Sequence, residues 1–295
     1  MRTVLSNAST IRALLAETEQ SLGSGPHPER ARRDAQALLL HALRKSAPTP
    51  SSAWLFAHPD EIAAPGVTAR IQPLVERRLA GEPIQYITGV AEFYGLSFEV
   101  NRDVLIPRPE TEHLVEMAIA LAAQLAQPRI IDVGTGSGAI AIALARSLPD
   151  AEIFASDLSN AALAVAQANA ARHAVAGRIR FLEGDLLTPA ESERFGLVIS
   201  NPPYVSERDR VTLSTEVRDY EPAGALFAGD DGLAIHRRLI PAAFAVLNPG
   251  GSLALEIGYG QSDAVQALLV DSGFQNIQFT PDLQSIPRVV SARHP

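Results

Sequence analysis

From Pro128 onward, short apolar runs rich in β-branched residues alternate with longer Ala- and Leu-rich runs of helical spacing. That alternation constrains the fold more than any other feature. Strands are predicted at 130–133, 152–156, 178–182, 197–200 and 252–257, with short closing strands at 277–279 and 288–291. Between them fall helices at 139–147, from an N-cap at Ser159 to 173, at 232–247 and at 263–271. A strand that returns through a helix lies parallel to its predecessor, and the crossover helices cover the two faces. The expected fold class is therefore α/β: a Rossmann-like, mostly parallel seven-stranded sheet. Ligands of such a sheet bind at the carboxyl ends of its strands.

The preceding third has another texture. In residues 8–80, Ile11, Leu14 and Leu15, then Ala35, Leu38, Leu39, Leu40 and Leu43, recur at helical spacing. A Pro- and Ser-rich break at 46–52 interrupts them, and the pattern resumes from Val67 to Leu79. Residues 1–82 are expected to form a small helical domain. Gln85, Tyr86 and Ile87, then Phe93, Tyr94, Leu96, Phe98 and Val100, read as strand segments around Gly89 and Gly95. They make 83–108 a β-hairpin linker, which leaves 109–295 as the α/β domain. A helix is expected from about Glu110 to Leu125, after a segment stiffened by Pro107 and Pro109.

Composition excludes several functions. The 295 residues contain no cysteine, so a disulfide scaffold, a thiolate metal site and a thiol nucleophile are all ruled out. Seven scattered histidines show no ligand spacing, and no metal is expected. No run approaches the 18 apolar residues of a membrane span, and the first residues carry acids rather than a signal sequence. A soluble, cytoplasmic protein is expected. The net charge is -8, with 12 basic and 13 acidic residues up to His113 and 13 and 20 after it. Neutralising phosphates requires a basic face, so direct nucleic-acid binding is not expected.

Four motifs carry chemistry. Asp132-Val133-Gly134-Thr135-Gly136-Ser137-Gly138 follows a strand and opens a helix, letting a ligand approach backbone N–H groups closely. A dinucleotide fingerprint would need its third glycine at 139, where Ala139 stands. The Gly-x-Gly-x-Gly spacing after an acid instead resembles the S-adenosylmethionine (SAM) loop of class I methyltransferases. Asp157, ending the next strand, is placed to accept from ribose hydroxyls. Asp185 and Leu186 close the third strand, where they reach an adenine amine and its ring. Each of these has a plainer alternative: a tight turn, a helix-start acid, a Gly-Asp loop.

The fourth motif is the most specific. Asn201-Pro202-Pro203-Tyr204 follows the strand at 197–200. Prolines cannot donate hydrogen bonds, but their carbonyls remain acceptors. Asn201 Oδ1 and the Pro202 carbonyl form a two-acceptor clamp for a planar NH₂ group, and Tyr204 offers a ring face. An amide nitrogen is a poor nucleophile because its lone pair is delocalised, so holding both N–H bonds while aiming the nitrogen lowers the barrier. Acceptor dipoles and a π face also favour a transferring positive methyl. No strong base is evident, and none need act before transfer, because the proton becomes acidic afterwards.

These residues resemble the Asn-Pro-Pro-Tyr class I methyltransferases. Residues 83–89, Phe93-Tyr94-Gly95, 104–112, Tyr220-Glu221-Pro222, Ala225-Leu226, 229–232 and 287–290 narrow the likeness to the HemK/PrmC family of peptide chain release factor glutamine methyltransferases. The resemblance runs from about Ala31 to Arg293. It implies a class I methyltransferase fold and transfer of methyl from SAM to the glutamine nitrogen of the Gly-Gly-Gln loop of class 1 release factors, leaving S-adenosylhomocysteine. It also implies that Gly134, Thr135, Gly136, Ser137, Gly138, Asp157, Asp185, Leu186 and Asn201 bind cofactor. Asn201, Pro202, Pro203 and Tyr204 would bind the glutamine, with Asn201, Pro202 and Tyr204 catalytic. Leu186 stands where family members often carry an aromatic. Arg108, Glu110 and Thr111 fall in the interdomain motif near the cofactor, and the helical domain would recognise the release factor body. The rival expectations are a ribosomal-protein glutamine methyltransferase, an adenine N(6) DNA methyltransferase, and a non-catalytic SAM-fold module. An eroded glycine loop or a lost Asn would mark the last of these, and both motifs are intact.

Overall fold

The computed structural model of the chain describes residues 10–44, 51–282 and 284–295. The chain divides into two compact units. One is Met1–Gly89 with Ser214–Tyr220, the other Val90–Leu213 with Glu221–Pro295.

In the first unit, α1 (Ile11–Leu22) is capped by Thr10, whose hydroxyl accepts from Ala13 N. It is followed by α2 (Ala31–Leu43), α3 (Ser52–Ala57), α4 (Val67–Leu79) and α5 (Ile84–Thr88). The predicted break at 46–52 lies largely outside the described residues; where description resumes, Ser51 caps α3. Ile11 and Leu14, Ala35, Leu38 and Ala42, and Val67 and Ile71 come from three helices at 3–4-residue spacing and form one core. Within it, the buried Arg78 guanidinium is paired with Asp34 at 2.6 Å and with Glu216 at 2.6 Å, so this charge is compensated twice. Residues 85–87, predicted as strand, belong to the helical turn α5. Pro83 presets the backbone for its start (φ -54°), and Gly89 ends it in the left-handed region (φ 76°).

The second unit opens with the hairpin β1 (Val90–Phe93) and β2 (Leu96–Glu99). Its two-residue turn, Tyr94-Gly95, has positive φ at both positions (51° and 68°), the geometry that matches strand twist. A 3₁₀ turn at Pro109–Thr111 then leads into α6 (Glu112–Ala122), so the helix expected from 110 to 125 is shorter at both ends. The α/β run comprises β3 (Arg129–Val133), α7 (Ala139–Ser147), β4 (Glu152–Asp157), α8 (Asn160–Arg172), β5 (Ile179–Glu183) and β6 (Phe195–Ser200). After α9 (Thr215–Tyr220), which belongs with the first unit, come α10 (Ala234–Val246), β7 (Leu247–Glu256), α11 (Ser262–Asp271), β8 (Gln275–Pro281) and β9 (Pro287–Arg293).

The seven strands stand in the order β5-β4-β3-β6-β7-β9-β8. β9 pairs antiparallel with both its neighbours, and every other pairing is parallel. Alternate side chains go to opposite layers. Ile130, Leu197, Ile199 and Ala254 pack with α6 and α7, while Ile131, Val198, Leu253 and Leu255 pack with α10 and α11. α7 is buried along Ala139–Ala145, and its alternate alanines let it lie close on the sheet. Among the described residues, no helix is long and apolar enough to cross a membrane.

Candidate active site

Strand order reverses between β3 and β6: the chain steps outward from β3 through β4 to β5, then returns to β6 on the other side. The loops after two strands that diverge in this way leave a crevice at their carboxyl ends. The two most informative motifs flank it, Gly134–Gly138 after β3 and Asn201–Tyr204 after β6.

The glycine loop folds back over the end of β4. Gly134 N and Thr135 N both donate to the Ser156 carbonyl, at 2.8 and 2.9 Å. Gly136 has φ 55°, and a Cβ added there or at Gly134 would meet nothing within 4 Å. The space above the backbone is open to a ligand. Gly138 serves differently, since a Cβ there would come within 3.1 Å of Ala166 and Ile142. Asn169 braces the loop from α8. Its Nδ2 donates to the Ser137 carbonyl at 2.9 Å and to the Glu99 carbonyl at 3.0 Å, and its Oδ1 accepts from Glu99 N at 2.7 Å.

Two carboxylates border the loop. Asp157 Oδ2 accepts from Gly136 N and Oδ1 from Ser159 N, both at 2.9 Å, which leaves further lone pairs on each oxygen. Asp132 is completely buried. Its Oδ2 accepts from Thr135 Oγ1 at 2.6 Å and from Ala141 N at 3.2 Å, whereas Oδ1 has no partner among the described residues. Burial raises its pKa to about 7 against the opposing effect of those two hydrogen bonds. The open glycine cradle with the Asp157 carboxylate beside it fits a hydroxyl-bearing ligand. Asp185 and Leu186 lie on the third loop. Arg238 of α10 engages Asp185 Oδ2, and Leu186, at φ 52°, packs partly into the core while its carbonyl accepts from Ser156 Oγ. The structure thus gathers the glycine loop and Asp157 around one point, and turns the Asp185 carboxylate toward a helix.

On the other side of the crevice, Asn201 Nδ2 donates to Thr111 Oγ1 at 3.0 Å. Thr111 Oγ1 in turn donates to Glu256 Oε2 at 2.7 Å, and Tyr204 Oη donates to Glu256 Oε1 at 3.1 Å. Among the described residues nothing donates to the Pro202 carbonyl. Burial, and after it the Glu256 charge, push the Tyr204 phenol well above its ordinary pKa, so it remains a donor. Tyr204 is held from behind as well: Gln261 Nε2 donates to its carbonyl at 3.0 Å. Gly232 leaves the room this needs, because a Cβ there would come within 2.3 Å of the Tyr204 carbonyl oxygen. Of the interdomain-motif residues, Thr111 joins this network directly, and Arg108 is paired with the buried Glu221 at 2.6 Å.

Glu256 and Gln261 are not among the residues predicted to form the site, and Asp132 enters only as the acid before the glycine loop, with no role of its own; two of the three are buried acids. Two of them carry a legible signal. Ile-Ile-Asp-Val and Leu-Ala-Leu-Glu-Ile each place one acid in an otherwise apolar buried strand, where an acid is costly without a role. Gln261 carries none, because its importance comes from the loop it meets in space.

A parallel sheet with one antiparallel strand next to its edge, a glycine loop after β3 and an acid ending β4 define a class I methyltransferase fold. Residues 112–218 match the methyltransferase small domain, and residues 13–89 match the PrmC N-terminal domain. The hMettl16 catalytic domain, solved in complex with MAT2A 3'UTR hairpin 6, is similar in fold alone: TM-score 0.56 and 15% identity, covering 77% of this chain and 81% of that one. The release factor glutamine methyltransferase of Koribacter versatilis is 43% identical over 265 residues, covering 90% of this chain and 91% of its own. That of Geobacter sulfurreducens is 41% identical over 284 residues, 96% of each. The chain belongs to the release factor glutamine methyltransferase family.

Proposed function

We propose that this protein is a cytoplasmic enzyme that methylates the side-chain nitrogen of the glutamine in the Gly-Gly-Gln loop of class 1 release factors, using SAM. The observation that carries this reading is that Asn201–Tyr204 and an open glycine loop flank one strand switch point. Likeness over nine-tenths of the chain to release factor glutamine methyltransferases supports it.

The residues present fit SAM. Gly134 to Gly138, with Thr135 and Ser137 between them, hold it against the backbone. Asp157 accepts from its ribose hydroxyls through the lone pairs that Gly136 N and Ser159 N leave over. Asp185 and Leu186 would border the adenine. When bound, the cofactor supplies a methyl group on a positively charged sulfur.

The remaining work belongs to the protein. Asn201 Oδ1 and the Pro202 carbonyl accept the two N–H bonds of the substrate amide, fixing its plane and leaving one face of the nitrogen to react. Pro203 keeps the loop rigid, and the Tyr204 ring shields the approach from water while offering its π face to positive charge. Glu256 is a buried carboxylate in contact with this loop, but two hydroxyls already donate to it, so it orients rather than takes a proton. Residues 1–82 recognise the body of the release factor, 83–108 connect, and 109–295 carry the methyl-transfer site.

The test is incorporation of label from methyl-labelled SAM into a purified class 1 release factor. Mass spectrometry is expected to find one methyl on the Gly-Gly-Gln glutamine. Label at another residue, or none, would overturn the assignment.

A further inference from the structure

We infer that Thr111 and Glu256 form a hydrogen-bond relay that fixes which end of the Asn201 amide faces the substrate. The inference rests on the proposed function and deepens it, because a clamp works only if Asn201 presents oxygen rather than nitrogen. An amide side chain is nearly symmetric in shape, and turned by 180° it would offer an NH₂ group to the substrate NH₂ and repel it.

The geometry prevents that turn. The Glu256 carboxylate, at the end of β7 and almost fully buried, accepts from two hydroxyls, Thr111 at 2.7 Å and Tyr204 at 3.1 Å. Thr111 has one proton, and it is committed to Glu256. Toward Asn201, Thr111 can then present only a lone pair, so Asn201 must turn its NH₂ group to Thr111, 3.0 Å away. Oδ1 is left facing the crevice. Thr111 is itself buried, so water cannot replace either bond. The same carboxylate anchors the phenol of Tyr204, so one acid sets two members of the substrate loop. Glu256 and Thr111 are positioning residues: neither need touch the substrate.

Three measurements on the full-length protein test the relay. In the wild type without substrate, the Asn201 side-chain N–H signal, assigned by its loss in Asn201→Ala, is expected to be protected from solvent exchange. In Thr111→Val, which has the same shape but no hydroxyl, that protection is lost and kcat falls about 10- to 100-fold. SAM affinity stays near wild type in that variant, as a collapse of the site would not allow, and the melting temperature falls only as the two lost buried hydrogen bonds require. Thr111→Ser restores the hydroxyl and is expected to restore both the protection and the turnover. An unprotected Asn201 signal in the wild type, or unchanged kcat in Thr111→Val, overturns the relay and leaves the proposed function standing. A wild type that methylates no glutamine, yet shows the protected signal, overturns the function and leaves the amide orientation established.

Discussion

In the proposed mechanism Asn201 acts through a single carbonyl oxygen, and the expected cost of losing it is correspondingly specific. Asn201→Ala removes one of two acceptors aimed at the reacting amide, so kcat should fall about 100- to 1,000-fold. SAM affinity, read by calorimetry, should change far less; an equal loss in both would make Asn201 a cofactor ligand only. Asp132 makes a different statement. Its pKa of about 7 in the folded chain, against an ordinary 3.8, means that the unfolded chain releases this proton first. The stability it contributes is therefore whole below about pH 4 and is lost as pH rises through about 7. Urea unfolding between about pH 5.5 and 8 should show a fall of about 2 kcal/mol that Asp132→Asn removes. Parallel pH profiles for the two proteins would refute the assignment. Both residues show how far sequence reaches at this scale. The Asn-Pro-Pro-Tyr motif announces Asn201, because its residue types are chemically unusual together. Nothing in the sequence pairs Asn201 with Thr111, 90 positions earlier, because that pairing exists only after β6 and the turn before α6 have been brought side by side.

Elements were legible wherever their periodicity was long. β3, β4 and β6 are apolar runs bounded by turns, and they fall within a residue or two of their expected limits. Ser159 caps α8 as its position predicts, accepting from Ala162 N at 3.2 Å. Short segments were less legible. Residues 84–88 carry β-favouring Tyr and Ile but form a helical turn, because Pro83 and Gly89 fix the two ends and local propensity yields to them. β7 begins at Leu247 rather than at 252, because Leu247 pairs with Phe195 before the register shifts across Gly250 and Gly251 to set Ser252 opposite Leu197. Asn169 shows what holds elements together around the site. In the middle of an Ala-rich helix it reads as an ordinary polar residue, yet it ties β2 and the glycine loop to α8 with three hydrogen bonds. Asn169→Ala removes all three bonds, the buried one to the Ser137 carbonyl among them, and should cost about 2–4 kcal/mol in urea unfolding. A loss under about 0.5 kcal/mol, the range of a surface substitution, would contradict that bracing role.

At the scale of the whole molecule, two compact units divide the labour we propose. Among the described residues of the helical unit, the buried Arg78 is paired with Asp34 and Glu216, and the core is aliphatic. The place of this unit in the account is recognition, so a short Gly-Gly-Gln peptide should be a much poorer substrate than a whole release factor. The expected difference is a KM at least about tenfold higher for the peptide, the usual gain from a second contact surface; equal kcat/KM for the two would assign recognition to the methyltransferase unit alone. The sheet and its switch point were readable because strand–helix alternation admits few topologies. The insertion of Ser214–Tyr220 into the helical unit was not, because its short helix has no periodicity that distinguishes one unit from the other. The central claim is that one glutamine nitrogen receives the methyl group. It is tested most directly by incubating the protein with methyl-labelled SAM and either a class 1 release factor or its Gly-Gly-Gln→Gly-Gly-Ala variant. Label in the first and none in the second is the result the account predicts. Equal label in both, or label only on a ribosomal protein or on DNA, would contradict it.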